Sequence, residues 1–199
     1  LFNYTRRASS VAHIGAIDLG GDNPIRIQSM TTTNTNDTEA CVRQAEEIIK
    51  AGGELVRFTT QGSREAENMK NINAGIRADG YQTPLVADVH FNPNVADVAA
   101  LYCEKVRVNP GNYVDPARKF IKQEYTDEEY AHELQKIEDR FVPFLNICKE
   151  HHTAIRIGVN HGSLSDRIRN RYGDTPEGIV ESCLEFLRIC KKENFHDVV

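Results

Sequence analysis

Short β-branched runs alternate with amphipathic stretches along almost the whole chain. The runs are Pro24–Met30 (PIRIQSM), Leu55–Thr60 (LVRFTT), Pro84–His90 (PLVADVH), Lys105–Pro110 (KVRVNP) and Ala154–Asn160 (AIRIGVN), with a sixth at Asp197–Val199. Each predicts a strand, and the segments between them show helical spacing with start and stop signals. From about Asp37, Val42, Ala45, Ile48 and Ile49 share a face, and Gly52-Gly53 ends that helix. A second helix starts near Ser63, read as its cap residue, carries Ala66, Met69, Ile72 and Ile76, and ends at Gly80; a third opens at Asn92-Pro93. A fourth opens on the capping-box pattern Thr126-x-x-Glu129 and aligns Tyr130, Leu134, Ile137, Phe141, Leu145 and Cys148, with Pro143 predicted to kink or split it. The fifth opens at Thr175-Pro176 and aligns Ile179, Cys183, Leu187 and Cys190.

Strands separated by helices imply right-handed βαβ units and a parallel sheet. An open doubly wound sheet and a (β/α)₈ barrel both satisfy that pattern. No G-x-G-x-x-G follows the first strand, which weakens a dinucleotide-binding sheet. Val11–Leu19 with Gly20-Gly21 reads instead as a small hairpin of the kind that plugs a barrel's bottom. The expected fold class is therefore α/β, a (β/α)₈ TIM barrel truncated at about its sixth strand, since a full barrel takes eight units and about 250 residues. Residues 1–23 form the N-terminal segment and hairpin, and residues 24–199 the partial barrel.

Buried parallel strands should be near-continuous apolar runs, and these are interrupted. The polar intrusions share one parity in each strand: Arg26 and Gln28; Arg57 and Thr59; Asp88 and His90; Arg107 and Asn109; Arg156 and Asn160. Ile25, Ile27, Val56, Phe58, Val86, Val89, Val106, Val108, Ile155, Ile157 and Val159 are expected to face the helices. The inward face thus carries Arg26, Arg57, Arg107 and Arg156, with Asp88, His90 and Asn109 toward the C-terminal strand ends, where such barrels place their sites. Converging guanidiniums repel one another and resist desolvation. An anion with several oxygens would resolve the conflict, since the planar five-donor fork of arginine suits phosphate; internal pairing with carboxylates is the alternative. The turns Asn109-Pro110-Gly111-Asn112 and Gly158–Ser163 offer backbone N–H groups that could cradle oxyanions. His161 reads as a loop histidine, and Arg167, Arg169 and Arg171 as a solvated surface run.

Composition narrows the partners. Lys and Arg number 24 against 29 Asp and Glu, a formal net charge of −5, so no basic excess marks a dedicated nucleic-acid binder. No apolar run is long enough to span a membrane, and no apolar segment follows the two arginines of Thr5–Ser10 as a signal peptide would require. A cytoplasmic location is expected. Five cysteines without a C-x-x-C pair read as small buried hydrophobes, so no metal ligand is expected in this chain.

Four runs occur in order: Gln28-Ser29-Met30-Thr31-x-Thr33-x-Thr35, Ala87-Asp88-Val89-His90-Phe91, Val106-Arg107-Val108-Asn109-Pro110-Gly111-Asn112 and Ile155-Arg156-Ile157-Gly158-Val159-Asn160-x-Gly162-Ser163-Leu164. Together they resemble the N-terminal barrel of the 4-hydroxy-3-methylbut-2-enyl diphosphate synthases, the IspG/GcpE family, over Arg7 to Val199. The stretch from Gly111 to Thr153 is similar to the long, plant-like form. The resemblance implies an oxidoreductase of non-mevalonate isoprenoid biosynthesis, the methylerythritol phosphate pathway. Its substrate is 2-C-methyl-D-erythritol 2,4-cyclodiphosphate, opened reductively. A [4Fe-4S] cluster fed by ferredoxin or flavodoxin supplies electrons in the full-length protein, which is expected to be a homodimer. The cluster belongs to a C-terminal domain absent here, so this chain alone is expected to hold no cluster and to be inactive. Residue by residue, the resemblance gives Arg57, Arg107 and Arg156 the diphosphate, Asn109 and Asn160 the ring oxygens, and Asp88 and His90 substrate orientation or proton transfer. A pterin-binding barrel of the dihydropteroate synthase type and a non-catalytic diphosphate-binding fragment remain as alternatives.

Overall fold

The computed structural model describes residues 7–115 and 124–199. Leu1–Arg6, which include part of the Thr5–Ser10 stretch, lie outside the described residues, as does part of the long crossover after Gly111. The chain begins with an antiparallel hairpin, β1 (Val11–Ile14) and β2 (Ile17–Gly20), turned by Gly15 at φ 54°. There follow β3 (Gln28–Met30), α1 (Thr38–Lys50), β4 (Leu55–Thr59), α2 (Ser63–Ala78), β5 (Leu85–Asp88), α3 (Pro93–Ala100) and β6 (Lys105–Val108). The last elements are α4 (Asp127–His151), β7 (Ala154–Ile157), α5 (Asp166–Tyr172) and α6 (Pro176–Lys192). β3 to β7 form one parallel sheet in sequence order, and Val198 adds a parallel bridge to Ile155 where a sixth barrel strand belongs.

Four helices start where the sequence places their caps, whereas α2 is capped by Gly62, with Ser63 its first helical residue rather than its cap. Asp37 accepts from Ala40 N–H, Asn92 from Asn94 N–H ahead of Pro93, and Thr175 from Gly178 N–H; Thr126 and Glu129 close a capping box. α4 runs unbroken through Pro143. The loss of one helical hydrogen bond is outweighed there by the buried stripe Ile137, Phe141, Phe144, Leu145 and Cys148. α5, capped by Ser165, has no counterpart in the sequence reading, because seven residues are too few to establish a period.

Two apolar clusters sit on opposite faces of the sheet. The larger packs Val56, Phe58, Ala87, Val106, Val108 and Ile155 against the helices. The smaller joins Ile14, Leu55, Val86 and Ala154 with Ile17 and Leu19, so the hairpin closes the N-terminal ends of the strands. Val86 therefore points inward, not toward the helices: it shares parity with Asp88, which settles its face. Ile25 and Ile27 also depart from expectation, being 81% and 59% exposed. They precede β3, which is an edge of the sheet, and the Ile27 N–H is bonded to Glu54 rather than to a strand.

Arg26 lies at this lower end as well, donating to Glu54 Oε1 at 2.8 Å and to the Asp18 carbonyl at 3.0 Å. It is a strut and not part of the mouth. Arg167, expected on the surface, is 2% exposed. Asp115 and Glu185 neutralise it, and its guanidinium lies 4.7 Å from the Tyr130 ring centroid. Two carboxylates and an aromatic face make burial of that charge tolerable.

Candidate functional site

β6 and β3 are separated in the sheet by β4 and β5, yet Lys105 on β6 donates to Gln28 Oε1 on β3 at 3.2 Å. That bond crosses the concave side and identifies it as the barrel interior. Strand alternation then places Arg57, Asp88, Lys105, Arg107 and Arg156 on the same side. Register brings Asp88 beside Arg107, and Arg107 beside Arg156, near the C-terminal strand ends.

Asp88, 1% exposed, is the hub. Arg57 donates through Nε at 2.9 Å and through Nη2 to the same oxygen; Arg107 Nη1 lies 3.3 Å from Oδ1, and His90 Nε2 3.1 Å from Oδ2. Burial alone would raise this carboxyl, but the hydrogen bond and charge of Arg57, with His90, outweigh it and hold the group below the usual aspartate range. Arg107 also donates to the Gly158 carbonyl at 2.6 Å. A Cβ on Gly158 would stand 2.0 Å from Arg107 Nε, so only glycine admits this path for the arginine. Burial is the largest influence on the Arg107 guanidinium and lowers its proton affinity; Asp88 opposes this, and Arg156 and Arg57 add to it.

Arg156 is half-buried and has no carboxylate partner among the described residues. Asn109, 4% exposed, donates to Ser163 Oγ at 2.8 Å and caps Gly111 N–H at 3.3 Å. Asn160 is exposed, with its Oδ1 2.9 Å from Gly162 N. The N–H groups of Gly111, Asn112, Gly162 and Ser163 are thus already engaged within their own turns. These turns are not an oxyanion cradle as they stand, and anion recognition falls to the side chains. His161 is a loop residue, 2.5 Å from Asp174 Oδ1 through Nε2.

The structure brings Arg57, Asp88, His90, Arg107 and Arg156 together; Asn109 and Asn160 frame them from the turns above. Lys105 was missed. It shares the parity of Arg107 and Asn109 and could have been found by extending that alternation one step back. It is 4% exposed, and burial, then Arg156 and Arg57, push its ammonium down to about 8. Ser163 was missed because its tie to Asn109 spans two turns far apart in sequence. Among the described residues, Arg57, Lys105, Arg107 and Arg156 thus line one cavity with a single carboxylate, Asp88, which of these four pairs with Arg57 and Arg107 alone, and the arrangement is suited to a multiply charged oxyanion.

The cysteines do not fit an iron–sulfur cluster. Cys41, Cys103 and Cys148 are buried on or beside three different helices, and Cys183 and Cys190 lie on a fourth. Burial raises all five thiols, Cys190 to about 12, away from the thiolate a cluster requires. Among the described residues no group of three or more His, Cys, Asp or Glu is placed to hold a metal ion, and no helix is long and apolar enough to cross a membrane.

The profile of the family described as "GcpE TIM-barrel domain" matches residues 9–199. A protein of Phocaeicola vulgatus named 4-hydroxy-3-methylbut-2-en-1-yl diphosphate synthase (flavodoxin) is 76% identical over 199 residues, covering 100% of this chain and 32% of its own length. Proteins of the same name from Bacteroides thetaiotaomicron and Akkermansia muciniphila are 75% and 50% identical, with 32% and 34% of their lengths covered. This chain spans about a third of the length of these relatives. A dihydropteroate synthase from Burkholderia cenocepacia superposes with a TM-score of 0.43 at 13% identity, over 98% of this chain and 91% of that one, a likeness too loose to bear on function.

Proposed function

The chain belongs to the GcpE TIM-barrel family, and from that premise we propose that it is the substrate-binding barrel of a 4-hydroxy-3-methylbut-2-enyl diphosphate synthase. Its ligand is then 2-C-methyl-D-erythritol 2,4-cyclodiphosphate, whose reductive opening feeds isoprenoid synthesis by the methylerythritol phosphate pathway in the cytoplasm. The observation that supports this most directly is the excess of cations over Asp88, with Arg156 lacking a carboxylate partner among the described residues. Arg57, Arg107 and Arg156 hold the diphosphate oxygens. Asn109 and Asn160 face the ring from the turns. Asp88 keeps two arginines and His90 aligned, and His90, partly exposed beside it, is placed to orient the ligand or move a proton at the mouth. Electrons come from flavodoxin, the donor in the relatives' names. The [4Fe-4S] cluster is assigned to parts of the protein other than the residues described, and these residues bind and orient.

Calorimetric titration with inorganic diphosphate and with the cyclodiphosphate tests the reading. Charge-assisted hydrogen bonds are each worth roughly 1.5–3 kcal/mol. Arg156→Ala and Arg107→Ala should therefore weaken both ligands by about tenfold or more, and Arg107→Lys should recover only part. Equal affinities with lowered thermal stability would identify the arginines as scaffold.

A further inference from the structure

Lys105 stands apart from the arginines above it. Its side chain is almost entirely buried, and its Nζ has one hydrogen-bond acceptor among the described residues, the Gln28 amide oxygen, where a protonated lysine offers three donors. No carboxylate pairs with it among the described residues. The charged and titratable groups facing it from the neighbouring strands are Arg57 on β4, Asp88 and His90 near β5, Arg107 on its own strand and Arg156 on β7. Asp88 is already committed to Arg57, Arg107 and His90. Beneath it the hairpin contributes Ile14, Ile17 and Leu19, while the His13–Asp18 pair of the hairpin is exposed. On the flanking strands its register partners are Val86 and Ala154. A charged ammonium in that position is desolvated and repelled from above, with only one amide oxygen to stabilise it.

We propose that Lys105 is a fourth cation of the anion site, one that holds its proton more tightly when an oxyanion occupies the arginine layer than when the barrel is empty. This rests on the anion-site reading above. An anion between Arg57 and Arg156 cancels the two charges that oppose protonation of Lys105. On the alkaline side, where the empty barrel sheds that proton, it avoids the full repulsion of its own cations, and the occupied one regains the charge. The lowered proton affinity of Lys105 agrees with this geometry.

Sulfate is the appropriate probe, because it does not titrate near pH 8 whereas diphosphate does. Its affinity is measured by calorimetry between about pH 7 and pH 9.5 for the wild type, Lys105→Met and Lys105→Arg, each checked for cooperative unfolding. In the wild type, affinity should fall above about pH 8 with a slope approaching tenfold per pH unit, as linkage to one proton requires. Lys105→Met should bind more weakly at pH 7 with no such slope. Lys105→Arg, permanently charged, should keep its affinity across the range, and it carries the test by itself if the methionine variant does not fold. Wild type and variants with the same pH profile would overturn the inference while leaving the anion site intact. No sulfate binding by the wild type at any pH would overturn both.

Discussion

Asp88 serves Arg57, Arg107 and His90 at once, so its charge and its bulk have separable consequences. Asp88→Asn keeps the shape and removes the charge. It leaves the buried Arg107 and the half-buried Arg57 guanidiniums uncompensated, and urea unfolding near neutral pH should show a loss of about 3–5 kcal/mol. The same change frees Arg57 from its internal partner, so diphosphate should bind more tightly to the less stable protein. A purely structural Asp88 would show the first effect without the second. The pH dependence has a definite sign. The folded-state value lies below the ordinary one of about 3.9. The stabilisation is therefore complete above the unfolded value and is lost as pH falls through the folded one. The stability gap between wild type and Asp88→Asn should be constant above about pH 5 and shrink on acidification. Arg57, Arg107 and Arg156 were legible because two-residue alternation is a local property. Arg167 was not, since its partners Asp115 and Glu185 lie 52 and 18 residues away and no local pattern reports them.

The turns after β6 and β7 meet so closely that a Cβ on Gly111 would stand 1.7 Å from the Ser163 carbonyl oxygen. The obstacle is backbone, not a flexible side chain, so Gly111→Ala must push the two turns apart and strain the Asn109–Ser163 bond. Denaturant unfolding should show a loss of about 1–3 kcal/mol or more, the range for overpacking. Ser163→Ala, which removes only the hydroxyl, should cost about 0.5–1.5 kcal/mol. A neutral Gly111→Ala would mean the turns do not touch. At this scale the caps made the long helices legible: Asp37, Asn92, Thr126 and Thr175 each start the helix that the sequence assigns to them. Strand limits were less legible. Pro24–Met30 has the composition of a strand throughout, but only Gln28–Met30 forms one, in register with β4. Pairing is a tertiary fact that composition does not contain.

Across the whole molecule the interior changes character from one end of the strands to the other. Ile14, Leu55, Val86 and Ala154 close the bottom, Lys105 and Gln28 lie above them, and the arginines with Asp88 occupy the top. The hairpin plug and the arginine layer could both be inferred from sequence, whereas their stacking could not, because it depends on how far each strand is staggered against the next. The two ends should respond to different perturbations. Ile14 is fully buried in the plug, and Ile14→Ala should cost about 2–5 kcal/mol without touching the anion contacts. Arg156→Ala removes a side chain with no carboxylate partner among the described residues, so it should leave the unliganded melting temperature nearly unchanged. A ligand that binds only the folded state stabilises it by RT ln(1 + [L]/Kd), about 2.7 kcal/mol at a hundred times Kd. Thermal melts with increasing diphosphate should therefore rise in parallel for wild type and Ile14→Ala, from different starting points. Arg156→Ala should start where the wild type does and rise only at about tenfold or more higher diphosphate, in step with its weakened charge-assisted contacts. If Ile14→Ala lost the diphosphate response, or Arg156→Ala kept all of it, the separation between a structural floor and an anion-binding mouth would be wrong.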